Sequence, residues 1–491
     1  MAGSPITAKK EANAASSSGK GKEKAWRPVS PDPVVANGRI QRNCQGVSEL
    51  PSVFRLCGVW GILVVTAIAA LLKTEVRGPV SAPDHSARDH REDGVYLWQG
   101  QWNAAVTDAL ESHSQDFSDL FLFTIELQED DSRSFRQREA TWNWDLLKQL
   151  RKPVHPTFRI HSIPDRAEAW TALEQVVLTR ARELLEQAQT TGVEVASLHL
   201  DYDCPTSQLE RYRRFLNALH SRPLGVPLSI TALPTWMRQP NAFRELVAET
   251  EFYVLQVHGL DVPERIDEAM EICDPRRAAI WAQQASRIGH PFLIALPTYG
   301  YELFFDADGR FQQISAEGPA VRVPESLRKQ TVLAEPAAMA KLVRTLGTGP
   351  RTAFQGLIWY RLPVAGDRLN WSWETLAAVR RGEIPTRRIS AVAVAIDEHL
   401  WEIEVRNTGE SDTGMPIAVT VSFEAAPIAF DGQSGFRPKL EPAQWQLFLQ
   451  QLPSEAIKAP KLRPGEKRTI GWIRFEQPTT PHVSFDNAPL F

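Results

Sequence analysis

The 491-residue chain reads as an α/β protein: a (β/α)8 TIM barrel followed by a small C-terminal β-sandwich. Three observations predict this. Over residues 94–385, short apolar runs alternate with amphipathic stretches at helical spacing, and eight strand candidates can be counted. No glycine-rich phosphate loop follows the first of them, which argues against an open nucleotide-binding sheet. Over residues 389–491 helical spacing stops, and only strand-like segments divided by turn residues remain.

Residues 1–55 are rich in Ser, Ala, Lys, Gly and Pro and have no apolar periodicity. Such a segment buries too little surface to offset chain entropy, so it is expected to be disordered. Residues 56–72, LCGVWGILVVTAIAALL, form an uncharged apolar run at the short end of what spans a bilayer. Nine Lys and Arg residues, from Lys9 to Arg55, precede the run and few cations follow at once. The positive-inside rule then keeps the N-terminus cytoplasmic and exports the rest. This predicts a signal anchor in the inner membrane with the later domains in the periplasm. A cleaved signal peptide and secretion is the alternative, since AIAA offers small residues. Residues 73–93 read as a polar linker.

The strand candidates are GVYLWQG from 94, LFLFTIELQ from 120, HPTFRI from 155, VASLHLDYD from 195, PLSITALP from 227, FYVLQVHG from 252, PFLIALPTYGY from 291 and GLIWYRLP from 356. Helical stretches between and after them include AEAWTALEQVVLTRARELLEQAQ, RYRRFLNALH, RRAAIWAQQASRI, EPAAMAKLVRTL and WSWETLAAVRR. Past residue 389, SAVAVAIDEHLWEIEVRNTG, MPIAVTVSFE and KRTIGWIRFE read as strands, with NTG, DGQSG and RPGEK as turns.

The fourth candidate carries the most chemistry. Its alternation puts His199, Asp201 and Asp203 on one face, with the two carboxylates one strand repeat, roughly 6 to 7 Å, apart. Pro205, which has no N–H to donate, ends the strand. In a barrel the chemistry lies at the C-terminal strand ends, and these collect into one mouth. The mouth comprises Trp98, Gln99, Glu126, Gln128, Arg159, His161, Asp201, Asp203, Trp236, Gln256, His258, Tyr299, Tyr301, Trp359 and Arg361. Polar side chains at successive inward positions predict a wet, ligand-holding cleft.

A net charge of −4 gives no footprint for nucleic acid. The four cysteines, at 44, 57, 204 and 273, are too scattered for a disulfide framework, and no His/Cys metal spacing occurs. No cofactor or metal is expected. His161, Asp201, Asp203 and His258 converging on one ion is the reading that would contradict this, and no spaced ligand motif supports it.

LHLDYDCP resembles the fourth strand of the chitinase-like glycoside hydrolases, which ends in DxxDxDxE followed by an aromatic residue and Pro. PFLIALPTYGY is similar to that family's penultimate strand with PxYG, while LSITALP and GLIWYRLP occupy the places of its fifth and eighth. The resemblance implies a barrel acting on a glycan, with Asp203 in the place of the catalytic Glu and Asp201 at the third motif acid. Ala196 and His199 stand where the first two acids belong, and His258 and Gly259 replace a Tyr-Asp pair. The pattern is also similar to a bacterial domain-of-unknown-function family with the same LDYD-type strand.

The expectation is a glycoside hydrolase using Asp203, with Asp201 or Glu126 as its second carboxylate. The alternative is a carbohydrate-binding or structural cell-envelope barrel. There Trp98, Trp236, Tyr299 and Trp359 would stack sugar rings, while Arg361 and Gln256 would bind hydroxyls.

Overall fold

The computed structural model describes residues 92–259, 261–316, 323–324, 326–348, 353–451 and 461–485. The expected disordered segment, the apolar run 56–72 and nearly all of the linker lie outside the described residues. Among the described residues no helix is long and apolar enough to cross a membrane.

Eight parallel strands form the barrel: Glu92–Leu97, Leu120–Glu129, Val154–Ile160, Leu198–Tyr202, Leu228–Ala232, Phe252–Gln256, Phe292–Pro297 and Phe354–Tyr360, here strands one to eight. Each pairs with the next in chain order. Strand one closes the ring by pairing with both strand two and strand eight. A helix follows every strand. Three of these helices, Ala104–His113, Trp144–Leu150 and Pro240–Val247, are short, at 10, 7 and 8 residues. Their starts were nonetheless encoded, by the Asn103 and Asn143 caps and by Pro240 in the first turn.

Strand seven departs from the expected extent. It ends at Pro297, and Gly300–Phe305 instead pairs antiparallel with Phe311–Ser315 and Arg328–Leu333. A Cβ at Gly300 would lie 2.4 Å from the Val332 carbonyl oxygen, so only glycine permits this close approach. A further short strand, Phe135–Glu139, folds back along the end of strand two.

Outward-facing residues of the strands, such as Leu122, Phe158, Leu200 and Ile230, pack under the helices in one large core. Burial of each such side chain contributes about 1.5–3 kcal/mol. The barrel interior is divided instead. Tyr96, Phe121, Val254, Leu293, Ala295 and Ile358 form an apolar cluster. Strands three to five, with Ser197 just before strand four, fill their share with His155, Thr157, Ser197, His199, Ser229 and Thr231, none more than 4% exposed.

The C-terminal part forms two four-stranded antiparallel sheets that share one core, including Ile403, Val405, Val421, Leu449 and Ile473. It grips the loop after strand eight. Arg463 donates from Nη1 to the Asp367 carbonyl (2.8 Å) and from Nη2 to the Asn370 carbonyl, and Arg368 pairs with Glu466 at 2.9 Å.

Candidate functional site

Register across strands two, three and four sets Glu126, Arg159 and Asp201 side by side at the C-terminal end. The Arg159 guanidinium forks between the two strand-four acids. Its Nη1 lies 2.9 Å from Asp201 Oδ2 and its Nη2 lies 2.7 Å from Asp203 Oδ2. Charge-assisted bonds of this length are strong and directional. Burial raises the Asp201 carboxyl above its ordinary value, with Arg159 opposing and the neighbouring Asp203 adding to the rise.

Glu126 has its own counter-ions, His161 Nε2 at 2.7 Å and Arg138 Nε at 2.6 Å. Burial alone would raise its carboxyl. The His161 hydrogen bond and the charges of Arg138, His161 and Arg159 together hold it below the usual range. Arg138 comes from the short strand Phe135–Glu139.

Across the mouth the character changes. Tyr360 is the hub of an aromatic wall, with ring centroids 5.2 Å from Trp98, 5.3 Å from Tyr299 and 5.6 Å from His258. The Tyr299 hydroxyl lies 2.8 Å from that of Tyr301 and 3.3 Å from His258 Nδ1. Burial lowers the His258 imidazole to about 3 against the opposing charge of Asp203, so it is neutral near pH 7. Two buried atoms here have no hydrogen-bond partner among the described residues, Asp203 Oδ1 and His258 Nε2.

The structure brings together Trp98, Glu126, Arg159, His161, Asp201, Asp203, His258, Tyr299 and Tyr301. Gln256 is half-buried beside them, its Nε2 donating to the His258 carbonyl at 3.2 Å. Gln99 is half-buried, one position out of step with Tyr96 and Trp98.

Three candidates are placed elsewhere. Trp359 is fully buried in the layer between barrel and helices, its indole donating to Asp93. Trp236 is fully buried in the turn after strand five, with Nε1 2.8 Å from the Cys204 carbonyl. Neither offers a face to a sugar. Arg361 is buried and ion-paired to Asp367 at 2.5 Å, so it holds the loop rather than a ligand.

Tyr360, which sequence reasoning missed, is the residue between two that it chose. It shares its strand face with Ile358, which the structure places inside the barrel.

Cys204 and Cys273 are both free and buried. Among the described residues no group of three His, Cys, Asp or Glu side chains is arranged to hold a metal ion. At the acids themselves the Arg159 guanidinium occupies the position a cation would take.

Fold and mouth thus define a closed (β/α)8 barrel with an acid-lined polar mouth, joined to a β-sandwich. Residues 167–365 match the family described as domain of unknown function (DUF3142), and residues 390–476 match domain of unknown function (DUF8456). No curated protein matches.

Solved structures similar to this chain include the spore cortex-lytic enzyme SleL of Bacillus megaterium QM B1551, at 13% identity over 55% of this chain and 70% of that one, with TM-score 0.40. A chitinase from Chromobacterium violaceum is 13% identical over 60% of this chain and 99% of that one, TM-score 0.39. The GH18 chitinase ChiB of Flavobacterium johnsoniae is 11% identical over 60% and 93%, TM-score 0.38.

Proposed function

We propose that the mouth takes a saccharide and that Asp203 meets its glycosidic oxygen. The observation that carries this reading is the divided state of one carboxylate. Arg159 anchors Oδ2, while Oδ1 is buried at the end of strand four with no partner among the described residues. A buried acceptor in that state costs free energy until a donor arrives, and a ligand supplies one. Opposite it, Trp98, Tyr301 and Tyr360, each only partly buried, present ring surface against which the apolar faces of a sugar pack.

In hydrolysis the glycosidic C–O bond breaks as Asp203 gives its proton to the leaving oxygen. Water adds hydroxide to the anomeric carbon, and its remaining proton returns to a carboxylate. Asp201, raised by burial and joined to the same guanidinium, is the proton reserve beside Asp203.

Binding without cleavage is the second reading, and the Arg159 fork favours it, because one guanidinium already engages an oxygen of each strand-four acid.

Asp203→Asn in the full chain tests both readings, against a panel that includes chitin oligosaccharides and cortex peptidoglycan. The expected result is a fall in turnover of at least about 100-fold with binding retained. Unchanged turnover overturns the assignment. Binding with no wild-type turnover selects the second reading. Residues 56–72 as an export signal or anchor would place the mouth outside the cytoplasm; a reporter fused after Phe491 that is active in the cytoplasm would refute this.

A further inference from the structure

His161 and His258 both reach the mouth, in opposite settings. The backbone N–H of His161 donates to the Leu127 carbonyl at 3.0 Å, which carries the ladder one residue past strand three. Register pairs Ile160 with Leu127 on one side and with Tyr202 on the other. One residue on, His161 is level with Asp203 of the neighbouring strand, and adjacent strands lie about 4.8 Å apart. Alternation gives it the same face as Arg159.

The His161 ring has one nitrogen engaged and one open. Nε2 lies 2.7 Å from Glu126 Oε1, and the other oxygen of that carboxylate lies 2.6 Å from Arg138 Nε. Burial would raise the Glu126 carboxyl, but the His161 hydrogen bond and the charges of Arg138 and Arg159 hold it below its ordinary range. Ionised near pH 7, it can only accept. The hydrogen on Nε2 is therefore fixed in that bond, and Nδ1 is the nitrogen that takes up or releases a proton. Nδ1 has no partner among the described residues and is not among their buried unpaired atoms, and the side chain is 24% exposed. It is open to whatever enters the mouth.

His258 is the reverse. It is 3% exposed, its Nε2 is buried, and burial lowers its imidazole to about 3. So weak a base takes no proton from water near pH 7. Deeper in the barrel, burial pushes His199 far down as well. The strand-four acids each have an oxygen engaged by Arg159.

We propose that His161 is the general base of the mouth, taking a proton from the attacking water at Nδ1, and that Glu126 is a positioning residue that fixes the ring and its tautomer. The inference rests on the hydrolytic reading of the site. Its step balances. Asp203 gives its proton to the leaving oxygen as the glycosidic C–O bond breaks, the water oxygen bonds the anomeric carbon, and the proton that water loses goes to Nδ1. The imidazolium so formed is held against ionised Glu126 through Nε2–H. It then returns the proton through solvent to Asp203, and both groups are restored. Glu126, with its two oxygens already engaged by His161 and Arg138, acts through the ring and not on the sugar.

His161→Ala in the full chain, assayed on chitin oligosaccharides and cortex peptidoglycan, is expected to lower turnover by about 100-fold or more, and added imidazole to restore about tenfold of it. His161→Gln keeps a donor for Glu126 but is no base, so it should fall as far; it stands in if the alanine variant fails to fold by circular dichroism. Unchanged turnover in either variant, or a fall in His161→Ala that imidazole does not relieve, overturns the base. A second measurement needs no turnover. In the wild type carrying 15N-labelled histidine, NMR of the neutral His161 ring should show its hydrogen on Nε2, whereas Glu126→Gln should populate both tautomers. A hydrogen on Nδ1 in the neutral wild-type ring overturns the assignment, and a single unchanged tautomer in Glu126→Gln removes Glu126 from its positioning role. Turnover lost in Asp203→Asn but kept in His161→Ala refutes the base alone. A wild type that cleaves no member of the panel refutes the hydrolytic reading and the base with it.

Discussion

The two walls of the mouth are built on different physics. Strands two to four supply charges, each held by a partner in fixed geometry: Glu126 by His161 and Arg138, Asp201 and Asp203 by Arg159. Strands one, seven and eight with their following loops supply rings, held edge to face with centroids 5.1 to 6.0 Å apart. A charged wall is brittle, because removal of one partner strands the others in a poorly solvated place. An aromatic wall is forgiving, because contact area is lost by degrees.

Arg159→Ala should break the contrast most severely. It leaves two neighbouring acids without a counter-ion, and urea unfolding near pH 7 is expected to show a loss of about 3–5 kcal/mol. Adding Asp201→Asn and Asp203→Asn should restore much of it; no recovery would mean that the fork is not what the arginine contributes.

Tyr360→Ala comes next. The hub ring is half-buried, so its removal should cost about 2 kcal/mol, below the range for a fully buried aromatic. Saccharide affinity should fall with it, and a calorimetric titration showing unaltered affinity would remove the rings from the binding surface.

A pH-dependent effect concerns His258, where the walls meet. Its folded-state pKa is about 3 against an ordinary 6.5. Below pH 6.5 the unfolded chain therefore binds the proton first, and stability present above pH 6.5 is lost as pH falls towards 3. His258→Gln should make that acid limb shallower, as read by urea midpoints at pH 7, 6, 5 and 4.

The fold was legible because a barrel strand is a short apolar run and a barrel helix an amphipathic one, and the chain alternates them eight times. The mouth was legible where one face of a strand differs chemically from the other, as at His199, Asp201 and Asp203. It failed where both faces are buried and both look functional. In Trp359-Tyr360-Arg361 periodicity fixes the alternation but not which parity points inward. Trp236 failed for a related reason: aromatic residues serve cores as readily as ligands. Arg138 lies in FRQRE, a polar hairpin strand with no apolar face to announce it. Of the hydrogen-bonded row His155, Ser197, Ser229 and His199 inside the barrel, only His199 was read, because Ser197 and Ser229 gain meaning from neighbours 30 to 42 positions away.

Arg463 bears on how separable the two halves of the chain are. Its guanidinium, from the sandwich, clamps backbone carbonyls of a loop whose Asp367 holds Arg361, next to Tyr360. The sandwich is therefore not a bead on a string that can be exchanged at will. A chain cut before Ile389 keeps every barrel strand yet frees the loop that frames the aromatic wall. A graft from a related protein should preserve the mouth only if it brings an equivalent arginine to the same carbonyls.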